Sequence, residues 1–196
     1  DGANYTGVEL SPDFAKLAKN KLKNMGIPPT IVIGDMCSFR LDRKFDLILI
    51  GFNSFLHILT DEDALACLGS VKRHMHKNSR FLIDIFTPSP LFLYRPEDVR
   101  FNVLEYTNSK TGEKVVVEES NKYDADTEIN ELTWYFCTNN KKDFAKEYFS
   151  MRMYLPSKMN QLLVDSGFKI LHQWGDYHRS PLDEGSKLQI YDVCVP

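Results

Sequence analysis

Two acids stand where short apolar segments end: Glu9 closes Tyr5-Thr6-Gly7-Val8, and Asp35 follows Thr30-Ile31-Val32-Ile33-Gly34. An acid at the carboxyl end of a strand in an open α/β sheet can accept hydrogen bonds from two adjacent ribose hydroxyls. A second such acid can meet an adenine amino group. Each alone reads equally well as a solvated carboxylate beside a helix start or a turn. Taken in order, the two point together to a nucleoside. A third candidate is the stretch Gly51-Phe52-Asn53-Ser54-Phe55-Leu56-His57, which mixes aromatic and polar groups directly after an apolar run. His57 is the candidate base, histidine being the side-chain type suited to proton transfer near neutral pH, with a packed histidine orienting the turn as the alternative. Asn53 either holds a ligand amino group or satisfies a buried turn. Arg152 and Tyr154 alternate onto one face of a strand-like segment, where Arg152 could pair with a substrate carboxylate; an exposed sheet pair is the plainer reading. Tyr177, in Gly175-Asp176-Tyr177, follows another strand end.

The elements that must position these groups follow from periodicity. Phe45-Asp46-Leu47-Ile48-Leu49-Ile50 is a short, nearly uncharged aliphatic run, expected to be a strand buried on both faces as in a parallel sheet. Ser11 and Pro12 open a helix whose stripe is Phe14, Leu17, Ala18, Leu22 and Met25, and Gly26 stops it. Thr60 and Asp63 have capping-box spacing ahead of a helix from about Asp61, with Leu65, Leu68, Val71 and Met75 on one side. Lys77-Asn78-Ser79 is expected to turn the chain into the strand Arg80–Phe86. After Thr87-Pro88-Ser89-Pro90 the rhythm changes. Phe101–Thr107, Lys114–Tyr123, Glu128–Thr138 and Phe144–Leu155 are rich in β-branched and aromatic residues with turn chemistry between them, which predicts a four-stranded antiparallel meander. A helix at Pro156–Ser166, stopped by Gly167, and strands at Phe168–Trp174 and Leu188–Val195 complete the chain. The expected fold class is α/β, with residues 1–90 as the nucleoside-binding part, 91–155 as the β insertion and 156–196 completing the sheet.

Composition bounds what this can be. The 196 residues, 43% hydrophobic and 26% charged, suit one domain with a sizeable core and an appendage. A formal charge of −3 argues against a general nucleic-acid or anionic-membrane surface. No apolar run approaches the roughly 20 residues of a membrane span, and the opening DGANYTGVEL does not read as a signal peptide. Cys37, Cys67, Cys137 and Cys194 are scattered without a CxxC pair, so they read as reduced thiols of a cytoplasmic protein with no metal site. His74 and His76, two apart on an expected helix, do not share a face. The lysines at 16, 19, 21 and 23 read as a solvated helix surface.

In order and spacing, GVELSPDFAKLAKNKL, GDM, FDLILIGFNSFLHILTDEDALACL and VKRHMHKNSRFLIDIF resemble class I S-adenosylmethionine-dependent methyltransferases, over about residues 5–90. FNSFLHILTDED, IDIFTPSP, SMRMYLPSKMNQLLVDSGF and GDY are similar to segments of the glycine/sarcosine-methyltransferase-like subgroup, which carries a β-rich insertion after the fifth strand. The resemblance implies a Rossmann-like fold and S-adenosyl-L-methionine as cofactor. It implies Glu9 and the adjacent Leu10 at the ribose, Asp35 and Met36 at the adenine, and Gly51, Phe52 and Asn53 at the methionine end. It implies methyl transfer to a small-molecule nitrogen or oxygen, with His57, Tyr177 and Arg152 as the candidate catalytic set. The family's glycine-rich first motif, which precedes the residue matching Glu9, is not in this sequence. That departure implies a fold incomplete at its N-terminus, with a gap in the sheet that a second chain, as in a homodimer, could fill. A non-catalytic scaffold or a fragment of a longer enzyme is therefore the alternative, and a nicotinamide-dependent enzyme is the weakest reading.

Overall fold

The computed structural model describes residues 4–196; residues 1–3, which open the DGANYTGVEL stretch, lie outside the described residues. Strands β1 (Gly7–Glu9) and β2 (Ile31–Ile33) pair in parallel, Gly7 with Ile31 and Glu9 with Ile33. Between them runs α1 (Pro12–Asn24), begun by the Ser11 hydroxyl accepting the Phe14 N–H and left through Gly26 at φ +70°. Only Ala15 of α1 is buried; Phe14, Leu17 and Met25 of the expected apolar stripe are exposed.

The larger sheet has the order β3-β4-β10-β9, from β3 (Phe45–Ile50), β4 (Met75–Phe86), β9 (Lys169–Trp174) and β10 (Leu188–Cys194). β3 and β4 are parallel, while β10 is antiparallel to both β4 and β9. The two sheets are separate among the described residues, so β1 and β3 have no strand between them. The expectation that Phe45–Ile50 is buried on both faces is therefore corrected. Ile48 and Ile50 pack on the core, whereas Leu47 and Leu49 are more than half exposed on the other face.

Two local expectations also change. Lys77-Asn78-Ser79 is not a turn between elements but a bulge inside β4, where the register against β3 slips between Phe45/Met75 and Leu47/Arg80. The buried Ser79 hydroxyl holds the bulge by donating to the Phe45 carbonyl at 2.6 Å and accepting the His76 N–H at 2.8 Å. Helix α2 (Asp61–Arg73) accordingly ends before His74, and His76 lies in β4.

The insertion is a meander in the order β5-β6-β7-β8: β5 (Phe101–Thr107), β6 (Lys114–Asp124), β7 (Ile129–Thr138) and β8 (Ala145–Arg152). It is joined to β4 through the single-turn α3 (Pro90–Leu93) and to the second half of the sheet through α4 (Pro156–Asp165). The core lies between one face of the larger sheet and the helices: Phe55, Leu56, Leu68, Phe81, Ile83, Leu163 and Tyr191 form one buried cluster. Each such side chain contributes roughly 1.5–3 kcal/mol of apolar burial.

Tyr154, expected on the last meander strand beside Arg152, instead lies beyond β8 and is fully buried in this cluster. Its hydroxyl donates to the Ile58 carbonyl at 2.7 Å, and burial pushes the phenol pKa up. Tyr154→Phe removes that donor and strands a buried carbonyl. The expected outcome is a loss of about 1–3 kcal/mol of stability, read as a lower urea midpoint with an unchanged m-value.

Candidate functional site

The parallel pairing of β1 and β2 brings two acids to neighbouring strand ends. The Gly34 N–H donates to the Glu9 carbonyl at 3.0 Å, so Asp35 leaves its strand beside Glu9. Glu9 is half-buried and accepts the Ser11 N–H at Oε1, 2.8 Å; Asp35 is exposed and accepts the Cys37 N–H at Oδ1, 2.8 Å. Each carboxylate thus braces a turn with one oxygen, and the other accepts no hydrogen bond from the described residues. Leu10 is exposed beside Glu9, and Met36 packs against the core.

The second part of the site is the loop leaving β3. Phe52 (φ 55°) and Asn53 (φ 62°) both occupy the left-handed region, a cost of about 1–3 kcal/mol each for residues other than glycine. Three bonds hold them there. The Phe52 N–H donates to Asp84 Oδ1 at 2.9 Å, the Asn53 Oδ1 accepts the Phe86 N–H at 2.7 Å, and the Ser54 hydroxyl donates to the Gly51 carbonyl at 2.8 Å. The Phe52 ring is 93% exposed, so this strain displays an aromatic face rather than packing one. Asn53 satisfies a backbone donor, as its plainer reading had it.

The three candidate catalytic residues do not converge. His57 is exposed at the end of a one-turn 3₁₀ helix (Ser54–His57), its ring 6.3 Å from that of Phe149 on β8. Tyr177 is exposed beside Asp84, and its phenol pKa is raised, first by partial burial and then by the Asp84 carboxylate. Arg152 is buried, with Nη1 2.6 Å from Asp61 and Nη2 2.9 Å from Glu128, and its guanidinium lies over the Tyr154 ring. Both of its carboxylate partners come from this chain. We assign Arg152 to fastening β8 onto α2 rather than to a substrate carboxylate.

Sequence reasoning missed Asp84. It is the one charged residue inside Phe81-Leu82-Ile83-Asp84-Ile85-Phe86, and a lone acid in an apolar strand was the available signal. It is 9% exposed near the carboxyl end of β4, and a Cβ added at Gly51 would lie 3.2 Å from its Oδ2. A groove of about 600 Å³ opens beyond this strand end, lined by Phe86, Pro88, Phe92, Gly185 and Lys187 among others. A smaller cavity sits at Thr6, Thr30 and Leu41, by the entries of β1 and β2 and away from the acids. Glu118, Cys137 and Asp143, the grouping of metal-capable side chains among the described residues, is taken up by Arg100, 2.7 Å from Asp143 and 3.4 Å from Glu118.

Residues 1–78 match the family model described as a methyltransferase domain. None of the curated proteins matches this sequence. Among solved structures, an S-adenosylmethionine-dependent methyltransferase from Clostridium acetobutylicum is 21% identical, with a TM-score of 0.80 over 98% of this chain and 75% of its own. The CcbJ methyltransferase from Streptomyces caelestis is 15% identical, with a TM-score of 0.84 over 100% of this chain and 80% of its own. The sugar N-methyltransferase KedS8 from Streptoalloteichus sp. is 18% identical, with a TM-score of 0.69 over 97% and 71%. The fold is the Rossmann-like fold of the class I methyltransferases. Residues 1–78 thus resemble a methyltransferase domain, within a chain whose fold is shared with solved S-adenosylmethionine-dependent methyltransferases. No helix among the described residues is long and apolar enough to cross a membrane.

The Arg152 cluster carries a pH prediction. Lys158 and Arg152 hold the Asp61 carboxyl below the usual carboxylate range, the Lys158 hydrogen bond first. A depressed folded pKa gives stability that is present above the unfolded value, about 3.9, and lost as pH falls through the folded one. The stability gap between wild type and Asp61→Asn is therefore expected to stay constant from pH 7 to 5 and to close below pH 4 in urea titrations. A gap that persists unchanged at pH 2.5 would show that charge does not carry this contact.

Proposed function

We propose that this chain transfers the methyl group of S-adenosylmethionine to a small-molecule nitrogen or oxygen nucleophile. The observation that carries the reading is the pair of carboxylates at adjacent strand ends, Glu9 and Asp35, each with one oxygen uncommitted. That pair of acceptors suits a nucleoside, whose ribose diol and ring amine supply the complementary O–H and N–H groups. In this reading Glu9 and Leu10 hold the ribose, Asp35 and Met36 the adenine, and Gly51, Phe52 and Asn53 border the methionine end. When bound, the cofactor supplies a methyl group already activated on a sulfonium, so the protein's task is alignment and exclusion of water.

The braced loop at 51–53 fixes one side of the reacting centre, and the exposed Phe52 ring covers it. In this reading Tyr177, beside Asp84, borders the acceptor, and His57, beside Phe149 of the meander, is the group that could take a proton from a hydroxyl nucleophile. The meander roofs the site: Trp134 and Phe149 stack edge to face at 5.3 Å, and Phe149 also approaches His57. A small-molecule acceptor accords with what the neighbouring structures are called, a sugar N-methyltransferase and an amino pentose methyltransferase among them. The acidic net charge and the four free cysteines support a cytoplasmic enzyme without a nucleic-acid partner.

Calorimetric titration with S-adenosylmethionine and S-adenosylhomocysteine tests this directly. The wild-type chain is expected to bind both, and Glu9→Ala to weaken both by about tenfold or more, the size of a lost charge-assisted hydrogen bond. A folded chain that binds neither would overturn the reading and favour a non-catalytic scaffold.

A further inference from the structure

Asp84 differs in kind from the other buried acids. Among the described residues three acids are buried: Asp192 is paired with Arg80, Glu119 with Arg95, and Asp84 with no cation. Burying a carboxylate without a counter-charge is costly, and proteins keep such a group where a ligand completes it. One of its oxygens is used by the backbone, Oδ1 by the Phe52 N–H at 2.9 Å. Oδ2 is not among the sealed, unpartnered atoms, and apart from the Phe52 N–H only the exposed Tyr177 phenol, among the described residues, reaches the carboxylate, a contact that an acceptor can displace. It lies against the bare Cα of Gly51, where any side chain would crowd it, and Tyr177 stands beside it. The free oxygen therefore sits at the root of the loop read above as the border of the reacting centre, next to the groove at Phe86 and Phe92.

We propose that Asp84 is the receptor for the methyl acceptor and that the acceptor is an amine, its N–H donating to Asp84 Oδ2. This deepens the methyltransferase reading and rests on it. The carboxylate turns the nitrogen lone pair toward the sulfonium methyl. The lone pair forms the new N–C bond as the C–S bond breaks, and the C–S electrons stay on sulfur to give the neutral thioether. The positive charge thereby passes from sulfur to nitrogen, where the buried carboxylate opposes it. The product leaves as a methylammonium with its proton still attached and releases it in solvent, so no separate base is needed. With a hydroxyl acceptor the carboxylate would instead have to take the proton as a base, leaving it neutral beside a neutral ether, so the charge match that favours an amine would be lost.

The test is a binding comparison that needs no knowledge of the acceptor. Sinefungin carries an amine in place of the methylated sulfonium and so presents an ammonium at the reacting centre. Asp84→Asn keeps an acceptor oxygen for the Phe52 N–H while removing the charge. Calorimetry of wild type, Asp84→Asn and Asp84→Glu with sinefungin, S-adenosylmethionine and S-adenosylhomocysteine is expected to show sinefungin weakened by about tenfold or more in Asp84→Asn. The other two ligands are expected to stay within about threefold, and Asp84→Glu to recover part of the sinefungin affinity. Loss of S-adenosylmethionine together with sinefungin would place Asp84 on the sulfonium and overturn the proposal. Equal loss of all three would make it a brace of the loop, and no change would leave it without a role at the centre; either result overturns the proposal. A wild-type chain that binds none of the three fails at the methyltransferase reading itself, a distinct result.

Discussion

The turn from Gly51 to Ile58 is the constraint on which the remaining structure depends. Phe55, Leu56 and Ile58 are buried, and they anchor the turn between the sheet and the first residues after the meander. Tyr154 seals the junction from the other side, its ring 5.2 Å from Phe55 and its hydroxyl on the Ile58 carbonyl. Gln189 closes it from β10, donating to the Tyr154 carbonyl at 2.7 Å. One buried tyrosine thus connects the loop, the end of the insertion and the last strand. Because the apolar half of the turn is held on three sides, its polar half at 51–53 can be kept in a left-handed conformation that would otherwise relax.

The same logic separates the charges of this molecule into two sorts. Around Arg152 the charges are complete: Asp61 meets both Arg152 and Lys158, and Glu128 meets Arg152. At Glu119 the carboxylate is satisfied twice, by Arg95 and by the Trp134 indole N–H at 2.8 Å, and Arg95 lies between the rings of Phe92 and Phe101. These clusters fix how the meander sits on its connecting segments. Completed pairs of this kind contribute geometry more than energy, since desolvation offsets much of their attraction. The strand ends are built differently. Glu9, Asp35 and Asp84 each spend one oxygen on the backbone and hold the other in reserve.

Elements with a strong period were legible in the sequence. The helices near Pro12, Asp61 and Pro156, the meander and the two final strands all announce themselves through spacing, caps and turn residues. What stayed hidden depended on the absence or presence of a neighbour. The apolar run Leu47–Ile50 carries no mark saying that one face is uncovered, because hydrophobicity reports what a residue favours, not what is beside it. The bulge at Lys77-Asn78-Ser79 looked like a turn because Asn and Ser suit both, and the Ser79 bond to Phe45 that decides between them spans 34 residues. Arg152 was chosen for its type and face, and only the fold reveals that Asp61, 91 residues earlier, already occupies it. The placement of Glu9 and Asp35 at neighbouring strand ends was legible because it is local: a strand, its end and the next turn.

Asp84 was missed for the opposite reason, since its environment, not its sequence neighbours, makes it unusual. A lone acid in an apolar strand is ordinarily read as pointing outward, and its even position in β4 does place it on the face opposite the Phe81, Ile83 and Ile85 core. Arg80 and Asp192 share that face and neutralise each other farther down the strands. Asp84, nearer the carboxyl end, has no ion pair among the described residues, and the backbone of the 51–53 loop closes over the acid instead. The strain at Phe52 and the isolated charge at Asp84 are therefore one feature. The N–H that Phe52 offers to Oδ1 is directed by its left-handed backbone, and the negative charge it meets helps hold that backbone in place. Each of the two local costs offsets part of the other. What remains uncompensated is a single carboxylate oxygen at the strand ends, where a small cationic group would be drawn and aimed.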